Sequence, residues 1–332
     1  MNNIFDYFID MDILNNLNES MIDKLYKRQL HNKHIIYIAK GGQGIVYKIT
    51  DSKTHTNYAL KVEKKSIATK QELYINNLIS VKPKDTNIIS IYTMRIVGNY
   101  VITLMELADG SLAQWMHEKH SDCEWLEMIF QIVMGVYVLQ TKYKLYHSDM
   151  KPKNILFKRT TEPKKLEYHI NDKFYSITTS CIFIISDFGH ATTTTHSGKY
   201  KKGDIETFIK SNADLYELAS IYKRLAVDYI IKNYTIDELI TYGKKDPHFA
   251  TYYTDTLNKT HKDTSHLPKK IQQNLILRSV AYFIVEKEIM DITNINTIPS
   301  KNVITVLNNM LYLDILSIID DTYDVLRVSC GI

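Results

Sequence analysis

The sequence predicts an α+β fold of two lobes: a small lobe built on a five-stranded antiparallel sheet with one helix, and a larger, mainly helical lobe. Two features of the chain predict this division. Before about residue 107, short β-branched and aromatic runs alternate with turn residues. After it, apolar residues recur at helical spacing. The expected organisation is an N-terminal helical extension at 1–32, a small lobe at 33–107 and a large lobe at 108–332.

The composition fits a globular protein and limits its compartment and partners. Of the 332 residues, 45% are hydrophobic, which is enough for a buried core. The three cysteines are scattered, so we expect reduced thiols in a cytoplasmic setting. The first residues lack a basic region and the longest apolar stretch, near 129–139, is short, so neither secretion nor a membrane span is expected. The net charge of +4 is spread along the chain, so no nucleic-acid partner is expected, and no oligomeric state is indicated.

The small lobe takes its strands from two segments. Residues 34–62 contain three strand-like runs separated by a Gly-rich turn and a polar turn. Residues 87–107 add two more, joined at Gly98-Asn99. Between them, residues 66–80 show apolar residues at helical spacing. The apolar spacing of the first 32 residues predicts a helix packed on this lobe.

The large lobe begins with helical signals and contains one insertion. Ser111 and Gln114 have the spacing of a capping box, and residues 124–142 carry a broad apolar face. A segment at about 158–182 alternates like a β-hairpin, with its turn at Asn171-Asp172. We therefore expect a hairpin inserted in an otherwise helical lobe.

Two features of the small lobe point to phosphate binding, each with an ordinary structural alternative. The glycines of "AKGGQGIVYK" at 39–48 would let backbone amides approach a polyphosphate, although a glycine-bearing hairpin has the same pattern. Lys61 ends an apolar strand, where a lysine at a solvated edge is equally common. Glu72, eleven residues later in the predicted helix, could hold Lys61 over phosphates or could form a capping box with Thr69.

The large lobe supplies the remaining polar groups. The segment "YHSDMKPKNILF" at 146–157 carries His, Asp, Lys and Asn just before an apolar strand. The strand "IFIIS" at 182–186 ends in Asp187-Phe188-Gly189, and a carboxylate in that position is suited to hold Mg²⁺ against phosphates. Along the chain the features occur in a fixed order: the Gly-rich turn, the strand lysine, the helix glutamate, His-x-Asp-x-Lys-x-x-Asn, and Asp-Phe-Gly. This order is more specific than any one of the five motifs.

In this order of motifs the sequence resembles the eukaryotic-type protein kinase family, over about residues 34–225. The resemblance implies that Asp149 accepts or orients the substrate hydroxyl, that Lys151 neutralises the transferring phosphate, and that Lys61 pairs with Glu72. It further implies that Asn154 and Asp187 hold Mg²⁺. The implied ATP-binding residues are Gly41, Gly42, Gly44, Val46, Ala59, Lys61, Met105, Glu106, Leu107, Asn154 and Asp187. Lys61 and Asp149 are expected to face a solvated cleft.

The family pattern also gives a role to Asp214. It resembles the aspartate of a central helix that anchors the catalytic loop, although a plain helix N-cap would look the same. Lys151 lies two residues after the aspartate that the resemblance makes catalytic, and a lysine at this position resembles the serine/threonine branch of the family. The expected function is ATP- and Mg²⁺-dependent transfer of phosphate to Ser/Thr hydroxyls of protein substrates. A pseudokinase scaffold and a small-molecule kinase are the alternatives.

Four departures from the family pattern bear on nucleotide binding, control and lineage. Ala39 and Gln43 replace the first glycine and the tip aromatic of the loop. Ser148 replaces the arginine that receives an activation-segment phosphate, so the hydroxyls at Thr192–Thr195 and Ser197 are interpreted as a polar loop and not as a switch. No Ala-Pro-Glu follows. The missing Ala-Pro-Glu, together with the insertion at about 158–182, is similar to what haspin and the kinases of large cytoplasmic DNA viruses show. If the chain is viral, the protein is expected in the host cytoplasm or the virion.

Overall fold

The structure is a computed structural model of the 332-residue chain. It describes residues 18–29, 35–41, 44–51, 54–80, 85–193, 214–215, 218, 220–287, 301–309 and 314–332. The fold is α+β with the two lobes that the sequence predicts. The lobe boundaries themselves stay predictions.

The small lobe is a five-stranded antiparallel sheet with one helix against it. Its elements are β1 (Ile35–Lys40), β2 (Gly44–Thr50), β3 (Asn57–Lys64), α2 (Ile67–Ser80), β4 (Ile91–Val97) and β5 (Tyr100–Glu106), preceded by α1 (Glu19–Tyr26). The strand order is β1-β2-β3-β5-β4. The β4–β5 turn lies at Gly98-Asn99, where Gly98 has a positive φ of 55° that glycine adopts without strain. The predicted sheet is therefore confirmed.

The two faces of this sheet carry different side chains because successive residues of a strand point to opposite sides. One face buries an apolar cluster that includes Tyr47, Leu60 and Ile102. Helix α1 covers that face, burying Ile22 and Leu25 there. The Tyr47 hydroxyl fixes α1 by donating to the Leu25 carbonyl at 2.6 Å. The prediction of a helix on this lobe is thus confirmed for α1, while residues 1–17 and 30–34 lie outside the described residues.

The large lobe contains a short entry helix, a long buried helix, a hairpin and several further helices. Its first elements are β6 (Gly110–Ser111), α3 (Leu112–Trp115), α4 (Asp122–Lys142), β7 (Leu145–Tyr146), β8 (Ile155–Ile170), β9 (Lys173–Ile185), a 3₁₀ turn (Phe188–His190) and β10 (Thr192–Thr193). Helices α5 (Ile221–Asn233), α6 (Ile236–Gly243), α7 (Phe249–Thr264), α8 (Lys269–Glu286), α9 (Lys301–Asn309) and α10 (Ile315–Cys330) follow. The Ser111–Gln114 capping box is present.

The inserted hairpin is β8 paired antiparallel with β9. Its turn lies at Asn171-Asp172, with Asn171 in the left-handed region at φ 52°. Helix α10 holds the hairpin from one side, since Lys173 and Tyr175 both bond the Asp320 carboxylate, at 2.6 and 2.7 Å. The base of β9 leads directly to Asp187, so the hairpin forms part of the support of the candidate site.

A buried amide of α4 fixes the base of the hairpin. Gln131 is fully buried, and its Oε1 accepts from the Phe183 N–H at 3.0 Å and from the Asn87 amide at 3.2 Å. Its Nε2 donates to the Cys181 carbonyl at 3.0 Å. Buried polar groups are stable when they are bonded in this way. Gln131 therefore joins α4, β9 and the segment that enters β4.

Cys123 and Cys330 form a disulfide, so the prediction of three reduced thiols is wrong for this pair. The two residues are 207 positions apart, and they meet only because α10 packs against α4. Their spacing in the sequence therefore carried no sign of the bond. Cys181 is a free thiol. Among the helices that the structure describes, none has the length and apolar character needed to cross a bilayer.

Candidate active site

The lysine of β3 lies at the centre of a cluster of carboxylates. Lys61 Nζ is 2.9 and 3.1 Å from the two carboxylate oxygens of Glu72 on α2, and 3.3 Å from Asp187 Oδ1. Ser66, not Glu72, bonds Thr69 at the start of α2, which rules out the Thr69–Glu72 capping box. The Lys61 side chain is only 13% exposed, so the expectation of a solvated lysine is wrong.

Glu63 is a third carboxylate at this lysine, and no sequence motif indicated it. Its Oε1 is 2.9 Å from Lys61 Nζ, and the residue is 1% exposed. Burial raises the pKa of the Glu63 carboxyl to about 7, although the Lys61 charge opposes the rise. For Lys61, burial would lower the pKa, but Glu72, Asp187 and Glu63 together hold it above its usual range.

The loop between β7 and β8, which the family pattern predicts to be the catalytic loop, brings Asp149, Lys151 and Asn154 together. Lys151 Nζ is 2.5 Å from Asp149 Oδ2, and the Asn154 amide donates to the same oxygen at 2.9 Å. The Asn154 amide also donates to the Asp149 carbonyl at 2.9 Å. These bonds fix the carboxylate of Asp149, whose side chain is 21% exposed and so remains open to a substrate.

A buried serine links this loop to Asp187. Both the backbone N–H and the hydroxyl of Ser186 donate to the Asn154 carbonyl, each at 2.9 Å. Asp187 itself is in the left-handed region at φ 65°, which costs a non-glycine residue about 1 kcal/mol or more. Its carboxylate is 41% exposed, and although burial opposes the shift, the Lys61 charge lowers its pKa. The sequence-predicted residues Lys61, Glu72, Asp149, Lys151, Asn154 and Asp187 thus belong to one connected network.

Asp214 anchors the catalytic loop, as the family pattern predicts. Its carboxylate accepts from the backbone N–H of His147 at 3.0 Å and of Ser148 at 2.9 Å. Ser148 is in the left-handed region at φ 62°, and the two bonds stabilise that strained backbone. The His147 ring is buried, bonds the Ser186 carbonyl and packs against Phe188, so it supports the loop from the inside.

The segment after Asp187 begins as an ordered strand and not as a polar loop. Thr192 and Thr193 form β10, which pairs with Tyr146 and Leu145 of β7, and both threonines are buried. Thr192 also contacts the Ser148 hydroxyl, at 3.4 Å. Gln71 of α2 donates to the Ala191 carbonyl just before β10. Thr194, Thr195 and Ser197 lie outside the described residues.

The predicted adenine and phosphate side is formed by the inner face of the small-lobe sheet. Gly44, Val46, Ala59, Lys61 and Met105 lie on that face by strand alternation. Glu106 instead accepts a hydrogen bond from the Ser90 N–H at 2.8 Å with its side chain, so only its backbone is left for the predicted contact with ATP. Leu107 follows it and is half-buried. Gly41 donates to the Gly44 carbonyl at 2.8 Å, closing the Gly-rich turn, while Gly42 and Gln43 lie outside the described residues.

The donor groups fit magnesium. An Asn154 amide oxygen and the Asp187 carboxylate are hard oxygen donors, and Mg²⁺ characteristically binds one or two carboxylates plus substrate phosphates. The described residues contain no group of three His, Cys, Asp or Glu side chains able to hold a metal alone. Phosphate oxygens would have to complete the coordination, as they do when the nucleotide and metal bind together.

Comparison with known proteins gives one family. Residues 33–211, more than half of the chain, match the protein kinase domain. Serine/threonine-protein kinase PLK4 of Drosophila virilis is 27% identical over 144 residues, which are 40% of this chain and 18% of that protein. Calcium-dependent protein kinase 5 of Plasmodium falciparum (isolate 3D7) is 29% identical over 134 residues, 39% of this chain and 23% of that one. The chain spans about a fifth of the length of these curated relatives. A solved structure of a kinase domain is 21% identical in sequence, and the match covers 51% of this chain and 54% of that chain with a TM-score of 0.38.

Proposed function

This chain belongs to the protein kinase domain family, and we propose that it transfers the γ-phosphate of ATP to serine and threonine hydroxyls of protein substrates. The observation that carries the proposal is the connected network of Lys61, Glu72, Asp187, Asn154 and Asp149. Phosphoryl transfer depends mainly on positioning and on charge stabilisation, and this network provides both.

Each side chain has a task that follows from its contacts. The described hydrogen bonds to the Asp149 carboxylate both end on Oδ2, so Oδ1 is the atom that accepts the substrate hydroxyl proton. Lys151, held beside Asp149, places a positive charge where the transferring phosphate gains negative charge. Lys61, held by Glu72, binds the nucleotide phosphates. Asn154 and Asp187 would hold Mg²⁺, which would neutralise phosphate charge there.

A phosphotransfer assay with radiolabelled ATP tests this function and separates it from its alternatives. Casein-type protein and small alcohols serve as two acceptor classes, and Asp149→Asn is the control for chemistry. Label on serine and threonine of the protein, lost in Asp149→Asn, supports a Ser/Thr protein kinase. Label on small alcohols alone indicates a small-molecule kinase. No transfer to any acceptor, with nucleotide still bound, indicates a pseudokinase.

The lineage is also a proposal. The inserted β8–β9 hairpin and the absence of Ala-Pro-Glu favour the branch similar to haspin and to kinases of large cytoplasmic DNA viruses. The frequent Asn, Ile, Lys and Tyr residues, typical of AT-rich coding genomes, lean toward the viral group. Discovery of this gene in an ordinary cellular genome, away from viral sequence, would contradict the viral assignment.

A further inference from the structure

Glu63 lies beside the catalytic lysine, and no role has been assigned to it. Side chains two apart on a strand share a face, so β3 directs Lys61 and Glu63 to the same side of the sheet. There the two side chains form an ion pair at 2.9 Å, with Glu63 1% exposed. A charged group is costly to bury even when it is paired, so this arrangement calls for a reason beyond stability.

The neighbouring glycine places Glu63 at the phosphate end of the cleft. Gly44 pairs with Glu63 across β2 and β3, at the base of the Gly-rich turn. A Cβ at Gly44 would lie 2.5 Å from Glu63 Cγ and 2.6 Å from the Val62 carbonyl oxygen. The absence of a side chain at position 44 therefore makes room for Glu63. Glu63 therefore lies opposite Gly44, at the end of β3 nearest the Gly-rich segment that is predicted to bind phosphates.

Lys61 Nζ has three carboxylate neighbours: its hydrogen bonds go to both oxygens of Glu72 and to Asp187, and Glu63 Oε1 is a buried ion-pair partner that accepts none of them. Glu63 and Glu72 each approach at 2.9 Å, while Asp187 is more distant at 3.3 Å. If Asp187 held a metal ion, its place at the ammonium would be free for a phosphate oxygen. Glu63 and Glu72 would then remain as the two protein partners of Lys61.

We propose that Glu63 is a positioning residue that forms, with Glu72, a two-carboxylate clamp directing Lys61 toward the nucleotide phosphates. The proposal rests on the proposed function. Glu72 belongs to α2, a separate element that can shift relative to the sheet, whereas Glu63 shares the rigid strand of Lys61. The clamp therefore keeps the lysine in place when the Glu72 contact is weakened.

Kinetics in a double-mutant design test the clamp. The variants are Glu63→Leu, Glu72→Gln and the double variant, and Glu63→Gln is added in case leucine impairs folding. Glu167→Leu is the matched control, because Lys165 and Glu167 have the same spacing on β8 and pair at 2.7 Å, but in solvent. A shared clamp predicts that each single variant loses about fivefold to thirtyfold in kcat/KM for ATP, and that the double loses at least tenfold more than the product of the two. Glu63→Gln, which keeps an oxygen acceptor, loses less than Glu63→Leu.

Other outcomes overturn the clamp. The first is a Glu63→Leu variant that is as active as Glu167→Leu or more active than wild type. The second is a double variant whose loss of kcat/KM is no greater than the product of the losses in the two single variants. If Glu63→Leu does not fold, Glu63→Gln replaces it in the design. In that case the clamp is overturned when the Glu63→Gln/Glu72→Gln variant loses no more kcat/KM than the product of the losses in its two single variants.

A chemical readout separates failure of the clamp from failure of the proposed function. Reductive methylation with formaldehyde modifies only a deprotonated amine, so it reports the surroundings of Lys61 whether or not the protein transfers phosphate. Removing the Glu63 carboxylate is expected to raise the methylation rate of Lys61 severalfold relative to Glu167→Leu, because the ammonium loses a buried partner at 2.9 Å and becomes more accessible. Peptide mass spectrometry measures the rate. A faster rate in Glu63→Leu, without any kinase activity, retains the clamp and rejects the function. An unchanged rate rejects the clamp.

Discussion

Replacing Asp214 with alanine is expected to impair catalysis far more than nucleotide binding. The Asp214 carboxylate is 2% exposed and accepts two backbone N–H groups, those of His147 and Ser148. Without it, both donors stay buried without their partner, and Ser148 loses what holds its φ at 62°. The catalytic loop then relaxes, which displaces Asp149, the residue next to Ser148, from its position for accepting the hydroxyl proton.

The size of the effect follows from the contacts. A buried N–H that loses its acceptor costs about 1–3 kcal/mol, so the two groups together cost about 2–6 kcal/mol. Relaxation of Ser148 from the left-handed region returns about 1 kcal/mol. The net loss of stability is about 1–5 kcal/mol, and about 2 kcal/mol lost from the positioning of Asp149 corresponds to about thirtyfold in kcat.

The assay combines thermal unfolding with steady-state kinetics below both melting temperatures. The control is Asp51→Ala, because Asp51 is also buried, at 1% exposure, and accepts the Thr54 N–H at 3.0 Å far from the catalytic loop. Asp51→Ala should lower Tm with little change in kcat, and Asp214→Ala should lower both while KM for ATP stays within about threefold. A wild-type kcat in Asp214→Ala, or an equal loss of kcat in Asp51→Ala, would refute the anchoring role.

Three further predictions concern control, the hairpin and pH. Protein made in bacteria should be active without phosphorylation, and changing Thr192, Thr193, Thr194, Thr195 and Ser197 to alanine should alter kcat/KM for a protein substrate by less than about tenfold; loss of activity on phosphatase treatment, restored by rephosphorylation, would contradict this. Gln131→Leu should lower the free energy of unfolding by about 2–4 kcal/mol in urea titrations, because the Phe183 N–H and the Cys181 carbonyl lose their partner, and an unchanged urea midpoint would argue against it. Glu63→Gln should stabilise the protein more at pH 8 than at pH 5: the pKa of Glu63 is raised on folding from 4.5 to about 7, among Lys61, Glu72 and Asp187, so ionised Glu63 lowers stability as pH rises through that range. Equal Tm differences at both pH values would show that Glu63 is not buried as described.

The small lobe was predictable because its strands alternate and its turns carry turn residues. The pairing of Lys61 with Glu72 was one of two open interpretations, and only the geometry of α2 decides between them. No sequence pattern distinguishes Glu63 from an ordinary surface glutamate. The chain contains Lys-x-Glu on β3, where it is buried, and again at Lys165 and Glu167 on β8, where it is exposed.

Long-range pairings explain the remaining errors. The disulfide joins α4 to a helix 207 residues later, which no local pattern can indicate. The hydroxyl-rich run after Asp187 has the composition of a loop, yet Thr192 and Thr193 are held by backbone bonds to β7. Strand preference depends strongly on the tertiary context of the side chains, so the composition of such a run predicts its exposure poorly.

The most direct test of the account is a single-turnover measurement of phosphoryl transfer in wild type and Asp149→Asn, at saturating Mg²⁺ and ATP. This design isolates the chemical step from product release. The account predicts that Asp149→Asn binds ATP with nearly unchanged affinity but transfers phosphate at least about a hundredfold more slowly, because the asparagine amide cannot accept the hydroxyl proton. Equal single-turnover rates in the two proteins would contradict the assignment of Asp149 as the residue that receives the proton.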